Sequence, residues 1–438
     1  MKRVAVFGSG MVSRPAVRTL LETGHRVCVA TDQPDAARKL IDGHPHGSVR
    51  EADAARPRDV RAIVRDADLA VSLLPVAFHV RVADACIAER RSLVTTSYVS
   101  PEMRALDTDA RRAGVLLLNE TGADPGIDHM QAMRLMDRVR ESGGRVTGFR
   151  SLCGGIPAPD ADDNPFHYKV SWSPRGVVLA GMRPARYVEG GRVRESQPLE
   201  VFGHPTPIEI EGVGRLEAYP NGDSTRFAVE YRLEGVDTLV RGTLRWPGWC
   251  ALWSCLLRLG WASDAPDLAL SGSTDGETTH RAAGGRPGEA PRAAASRLLG
   301  LAEGDDLLRR LEWLGLFSDA PVPRAAASRA DVLVTRMQER MQYAPGERDL
   351  LVMHHQVDWT DAAGRPHRTF ASTTEYGKPG GDSAMSRTVG IPAACAARRI
   401  LDGTIRETGV HIPTSRGIYE PILADLAAAG IEESVRTE

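Results

Sequence analysis

The chain has 438 residues, 42% of them hydrophobic and 26% charged, with a formal net charge of −2. That length is enough for two or three domains with a sizeable core, and the near-neutral charge gives no electrostatic reason to expect a nucleic-acid partner. No apolar run approaches the ~20 residues of a membrane-spanning helix, no signal peptide is expected, and Cys28, Cys86, Cys153, Cys250, Cys255 and Cys395 lack metal-type or redox-type spacing. The expectation is a reduced, cytoplasmic protein with no metal site and no membrane partner.

The first 32 residues are the most informative. Lys2 to Phe7 reads as a strand. It breaks into Gly8-Ser9-Gly10-Met11-Val12-Ser13, an amphipathic helix follows from Arg14 to Glu22, and a second strand, Arg26 to Thr31, ends on Asp32. Strand, glycine turn, helix, strand and acid in that order read as a dinucleotide-binding βαβ unit. Gly8 permits the tight turn, Gly10 lets backbone approach a pyrophosphate, Met11 and Val12 complete the turn, and Ser13 is small enough for close helix–strand packing. The helix N-terminus offers free N–H groups to the anion. Asp32 suits adenosine ribose hydroxyls and repels a 2′-phosphate, so NAD is favoured over NADP. Arg38 and Lys39 lie one turn further on. An N-cap ahead of Pro34 is the competing reading of Asp32.

Alternation continues with strands at Ala67–Leu74, Ser92–Thr96 and Val115–Asn119, and helices from His79 to Glu89 and up to Ala113. This is the pattern of an α/β, doubly wound parallel sheet. The loops starting at Gly8, Asp32, Leu74, Thr96 and Asn119 should face one crevice at the carboxyl ends of the strands. Beyond about Gly122, the runs Val146–Leu152, Arg175–Leu179, Ile208–Ile210, Phe227–Arg232 and Thr238–Leu244 suggest a mixed α+β sheet domain. Helices are expected at Trp249–Gly260, Arg292–Gly300, Asp305–Leu316 and Ala325–Gln342, with a flexible loop without packed core near 263–291. Asp349–Trp359 reads as a returning strand and Met385–Leu401 as a long helix. The domain expectation is a Rossmann segment 1–123 completed by about 383–438, a mixed-sheet segment 124–248 with 345–382, and a small helical domain 249–344.

Two hydroxyl- and acid-rich loops could carry chemistry. Thr95 to Ser100 stands where a nicotinamide would lie, and its competing reading is a helix-capping turn. Asn119 to His129 places Glu120, Asp124, Asp128 and His129 after a parallel strand. Asp128 also suits an N-cap, while Asp124, ahead of Pro125, is the functional candidate. Cys153 ends another strand, and Lys169 and Arg175 lie among aromatic residues. Arg241 and Arg245 share a strand face at i, i+4, which suits a two-point carboxylate clamp or, equally, a salt-bridged surface.

These segments together resemble the glutamate-forming saccharopine dehydrogenase (saccharopine reductase) family. The resemblance runs in order through Gly8–Pro15, Thr95–Pro101, Asn119–His129, Cys153–Pro159, Asp163–Pro165 with Arg175–Val177, Tyr219–Asn221, Arg241–Arg245, Arg387–Gly390 and Gly409–Pro413. It implies reversible NAD(P)-dependent conversion of saccharopine and water to 2-aminoadipate semialdehyde and glutamate, in lysine metabolism. It also implies a mixed-sheet domain that mediates a homodimer. Tyr98, Asp124 and Cys153 would stand near the reacting carbon. Ser97, Arg241 and Arg245 would recognise carboxylates, with Lys169 and Arg175 as further substrate contacts, and Gly8, Gly10, Met11, Val12, Asp32, Leu74 and Thr96 would hold the cofactor.

One position departs from the family pattern. Where the family reads Asn-Arg-Asp-Ser-Thr, with the Arg on a substrate carboxylate, this chain reads Asn221-Gly222-Asp223-Ser224-Thr225. Either Arg226 or another cation compensates, or the amino-acid-derived secondary amine is a different opine-like or lysine-derived one. An NAD-binding sensor without turnover is the reading from another class, and the retained Tyr98, Asp124, Cys153, Arg241 and Arg245 argue against it.

Overall fold

The computed structural model describes all 438 residues, and the chain divides into two units, one of Met1–Val146 with Val357–Glu438 and one of Thr147–Gln356. Strands are numbered here in chain order. In the first unit β1 (Arg3–Phe7), β2 (Arg26–Thr31), β3 (Gly47–Glu51), β4 (Leu69–Ser72), β5 (Ser92–Thr95), β6 (Leu116–Leu118) and β15 (Gly409–His411) form one sheet in the order β15-β6-β5-β4-β1-β2-β3. Every pairing in it is parallel. The central strands are covered on both faces: Val4 to Phe7 and Leu69 to Ser72 are all buried, which is why they read as continuous apolar runs. The strand order reverses between β1 and β4, so the ligand crevice of such a sheet lies at their carboxyl ends.

The C-terminal part of the chain completes this unit. The helix Ala384–Leu401 packs against the first helix, Ser13–Glu22. A Cβ at Gly390 would stand 2.8 Å from the Ala16 nitrogen and 2.9 Å from the Val12 oxygen, so only glycine allows this approach.

In the second unit β12 (Thr238–Arg245) runs parallel to β7 (Arg145–Pro157) and antiparallel to β11 (Gly214–Pro220), which pairs with β10 (Thr206–Ile210). β8 (Ala185–Glu189) pairs with β12 and with β9 (Arg192–Ser196). The helices Trp249–Arg258, Pro291–Leu299, Asp306–Leu314 and Arg329–Arg340 close on an aromatic core holding Trp249, Trp253 and Trp261. β13 (Asp349–Thr360) crosses the unit boundary, and β14 (Pro366–Tyr376) pairs with β16 (Ser434–Thr437) in the first unit.

Three segments differ from the sequence expectation. Pro174–Ala180 and Phe227–Glu230 are helices rather than strands. Ser173 caps the former by accepting the Gly176 N–H, with Pro174 at the first helical position, and such local capping outweighs the β-branched pair Val177-Val178. The segment 263–291 is not without packing: Thr274 and Glu277 form a capping box that starts the helix Asp275–Ala282. That helix buries Asp275 against Arg336 at 2.7 Å.

Candidate active site

Gly8 has φ +104°, and a Cβ there would come within 3.0 Å of the Leu73 carbonyl oxygen. At Gly10 the same atom would meet nothing within 4 Å, leaving the backbone open to a ligand. Met11 is 64% exposed beside it. Ser13 is fully buried, as a small third residue of the turn should be. The first helix has Val12 at its cap with no side-chain acceptor. Its Ser13 N–H is donated to the Gly10 carbonyl at 3.1 Å and Pro15 has none, so Arg14 is the helical residue of the first turn whose N–H is left for an anion. Ser9 Oγ lies 2.8 Å from Thr31 Oγ1, which also accepts the Gln33 N–H at 3.0 Å. This ties the turn to the end of β2. Asp32 is exposed there, and the cap of the next helix is Gln33. The capping reading of Asp32 therefore falls, while Arg38 is paired with Asp35. These residues fit a dinucleotide: a turn that requires glycine at Gly8 and leaves the backbone open at Gly10, a helix start with the Arg14 N–H to offer, and a carboxylate after the second strand.

The ends of β5 and β6 carry the polar loops. Thr95 Oγ1 donates to Asn119 Oδ1 at 3.1 Å in the interior. Thr96 and Leu74 are half-buried at the strand ends. Tyr98, 42% exposed, donates its hydroxyl to Asp124 Oδ1 at 2.9 Å. Glu120, 2% exposed, accepts the Val99 N–H at 2.9 Å and lies 2.7 Å from His129 Nε2. Glu120 thus fastens the Tyr98 loop to the Asp124 loop from beneath. Asp128 is not the N-cap: Gly126 holds that position, and Asp128, fully buried, accepts the Gly126 N–H at 2.5 Å. Ser100 does cap the next helix, accepting the Met103 N–H at 3.2 Å. Ser97 is held instead by His79, whose Nε2 is 2.9 Å from its hydroxyl.

In the second unit, Cys153 on β7 is directly opposite Thr243 on β12. Thr243 stands between Arg241 and Arg245 on one strand face, so the register gathers Cys153 and both arginines. The two arginines are 5% and 6% exposed. Arg241's guanidinium carbon lies 4.2 Å from the Phe227 ring centroid, and Arg226's lies 4.5 Å from the same centroid. Arg245 stands 5.4 Å from the Tyr168 centroid and 5.3 Å from that of Trp249. Its Nε, the Tyr168 hydroxyl and the Trp249 Nε1 are buried without hydrogen-bond partners. A cation against aromatic faces with a donor still unspent, as at Arg245 Nε, suits an anion.

Lys169 and Arg175 are placed otherwise. Lys169, 3% exposed, is bound to Glu347 at 2.6 Å and Asp163 at 2.8 Å. Burial alone would lower its pKa, but those carboxylates hold it above the ordinary value. Arg175 is exposed and paired with Asp331 and Asp264. Both cations are occupied by acids of their own unit. Sequence reasoning passed over Glu120, His129 and His79 as a scaffold. Only the cluster of polar residues at strand ends could have signalled them.

A parallel sheet in this order, with a glycine turn after β1 and an acid after β2, defines a nicotinamide-dinucleotide-binding α/β protein of the oxidoreductase type. Residues 4–118 match the model of the saccharopine dehydrogenase NADP binding domain, and residues 122–431 that of the saccharopine dehydrogenase C-terminal domain. The chain is 36% identical over 435 residues to a saccharopine dehydrogenase [NADP(+), L-glutamate-forming] of Pyricularia oryzae, covering 97% of this chain and 96% of that one. It is 35% identical over 436 residues to the Saccharomyces cerevisiae enzyme of the same name, covering 97% and 96%. A solved apo saccharopine dehydrogenase (L-Glu forming) from Saccharomyces cerevisiae superposes with a TM-score of 0.91 at 33% identity over the whole of both chains. The chain belongs to the saccharopine dehydrogenase family.

Proposed function

We propose that this chain is a glutamate-forming saccharopine dehydrogenase of lysine metabolism. Saccharopine, oxidised nicotinamide cofactor and water give 2-aminoadipate semialdehyde, glutamate, reduced cofactor and a proton, or the reverse. The observation that carries the reading is the exposed Tyr98–Asp124 pair, 2.9 Å apart, on the loops that leave two adjacent strands of the dinucleotide-binding sheet. The bound cofactor supplies a hydride acceptor. For hydride to leave, the substrate's secondary amine must be neutral. Asp124 takes that proton, directly or through a water, and Tyr98 orients its carboxylate. Water then adds to the resulting imine and the carbinolamine collapses to aldehyde and amine. Cys153 lines the reacting centre, and Ser97, Arg241 and Arg245 bind carboxylates. Lys169 and Arg175 stay outside this reading because their charges are already met.

The fungal relatives carry NADP(+) in their names. For this chain we infer a preference for NAD, on the exposed Asp32 and the engaged Arg38. A homodimer is inferred from the family resemblance. A reducing, cytoplasmic setting is inferred from six free cysteines, four of them buried. No helix is long and apolar enough to cross a membrane.

A second reading keeps the chemistry and changes the amine. It is favoured by Gly222, which has φ +61° and open space where a side chain would begin. Against it stands Arg226, a second cation on the Phe227 ring beside Arg241. The deciding experiment follows reduced-cofactor absorbance with saccharopine and NAD or NADP. Rapid turnover of saccharopine supports the first reading. Intact cofactor binding with no turnover of saccharopine, and turnover of another lysine- or opine-type secondary amine, supports the second.

A further inference from the structure

His79 takes no part in the steps above, yet both its ring nitrogens are engaged. It begins the helix His79–Ala88 and is 3% exposed. Its Nδ1 lies 2.9 Å from Ser72 Oγ and its Nε2 2.9 Å from Ser97 Oγ. Ser72 is the last residue of β4 and Ser97 follows the end of β5, its parallel neighbour. The imidazole therefore bridges two strand ends on the crevice side of the sheet.

Burial lowers the pKa of this ring to about 4, so it is neutral near pH 7. A neutral imidazole has one donor and one acceptor, so it donates to one serine and accepts from the other. With the proton on Nδ1, Ser97 must give its hydrogen to Nε2 and has only lone pairs left. With the proton on Nε2, Ser97 accepts from the ring and keeps its own O–H to give. Ser72 is buried and Ser97 only half-buried, so Ser97 is the end that a ligand can meet. A carboxylate only accepts hydrogen bonds, and it can use Ser97 in the second arrangement alone.

We propose that His79 is a positioning residue that holds the Ser97 hydroxyl as a donor for a substrate carboxylate. The order is Ser72 O–H to Nδ1, Nε2–H to Ser97 Oγ, and Ser97 O–H to the ligand. The proposal rests on the functional reading above, in which Ser97 meets the substrate.

Two measurements on the full chain test it. Nitrogen-15 NMR of labelled histidine, with the His79 signal assigned by its loss in His79→Gln, should show the Nε2–H tautomer near neutral pH. An Nδ1–H tautomer or an imidazolium would overturn the proposal. The kinetic test uses His79→Gln, which can keep a donor near the Nε2 position, and His79→Asn, which cannot reach it. His79→Asn should raise KM for the amine substrate roughly tenfold or more, with kcat and cofactor affinity little changed. His79→Gln should restore most of the loss, and His79→Asn added to Ser97→Ala should cost nothing further. Equal behaviour of the two His79 variants would also sink it. If the wild type turns over no secondary amine, the functional reading fails instead, and the tautomer remains readable on its own.

Discussion

The Tyr98 hydroxyl donates to Asp124 Oδ1 across 2.9 Å, and the two residues leave the ends of adjacent parallel strands, β5 and β6. An exposed pair held by a buried frame is suited to receive a proton without moving the backbone. Glu120 supplies that frame through the Val99 N–H and His129. Asp124→Asn should lower kcat for saccharopine oxidation by about 10²–10⁴, the usual range for loss of a general base. Tyr98→Phe should cost less, because the carboxylate remains. Asp124 is exposed and Tyr98 partly so, so neither change should shift the urea unfolding midpoint. Steady-state rates together with urea titration check both statements.

Asp32 gives a cofactor prediction. Replacing it with Arg exchanges a ribose acceptor for a phosphate donor on an exposed strand end. Asp32→Arg should shift the ratio of kcat/KM for NAD over NADP downward by about two orders of magnitude or more. An unchanged ratio would remove Asp32 from cofactor selection.

Gly390 should be intolerant of any side chain. The atoms a Cβ would strike are backbone, the Ala16 nitrogen and the Val12 oxygen, so no rotamer relieves the clash. Gly390→Ala should destabilise the chain by about 1–3 kcal/mol, visible as a lower thermal midpoint. Val12 also borders the glycine turn, so dinucleotide affinity measured by fluorescence should fall in the same variant.

His79 predicts a direction of stability with pH. Its pKa is about 4 in the folded chain against 6.5 ordinarily. Below about pH 6.5 the unfolded chain binds a proton that the folded ring refuses, so stability falls with falling pH and the loss is complete near pH 4. The contribution at stake is about 3 kcal/mol. Urea titrations from neutral to mildly acidic pH should show a steeper loss for the wild type than for His79→Gln. Parallel slopes would contradict the burial argument.

The sequence made the sheet readable where both faces are buried. Val4 to Phe7 in β1 and Leu69 to Val71 in β4 are unbroken apolar runs, and Gly8 and Gly10 after β1 and Asp32 after β2 stand at the distances a dinucleotide fold requires. β3 was not readable, because Gly47–Glu51 is an edge strand with no buried residue and so shows no apolar pattern. Helix Pro174–Ala180 reads as a strand in sequence because Val177 and Val178 are β-branched, while the Ser173 cap decides locally. The site was legible as residue types at strand ends. It was not legible as a network: Lys169 meets Glu347 across 178 residues and Arg175 meets Asp331 across 156. No local spacing distinguishes a cation reserved for a ligand from one satisfied by a distant acid.

The sheet of the first unit has a consequence for how the chain is made. The outer neighbour of β6 is β15, with Leu116 opposite Gly409 and Leu118 opposite His411. From Leu118 to His411 the ribosome must add 293 residues (411 − 118), which at roughly 5–20 residues per second takes about 15–60 s. Throughout that interval the nascent chain carries a three-leucine strand edge without its partner, and the inserted residues 147–356 emerge while it waits. A bare apolar edge is a template for pairing with other chains. Yield during synthesis should therefore depend on holdase chaperones more than the finished protein's stability would suggest.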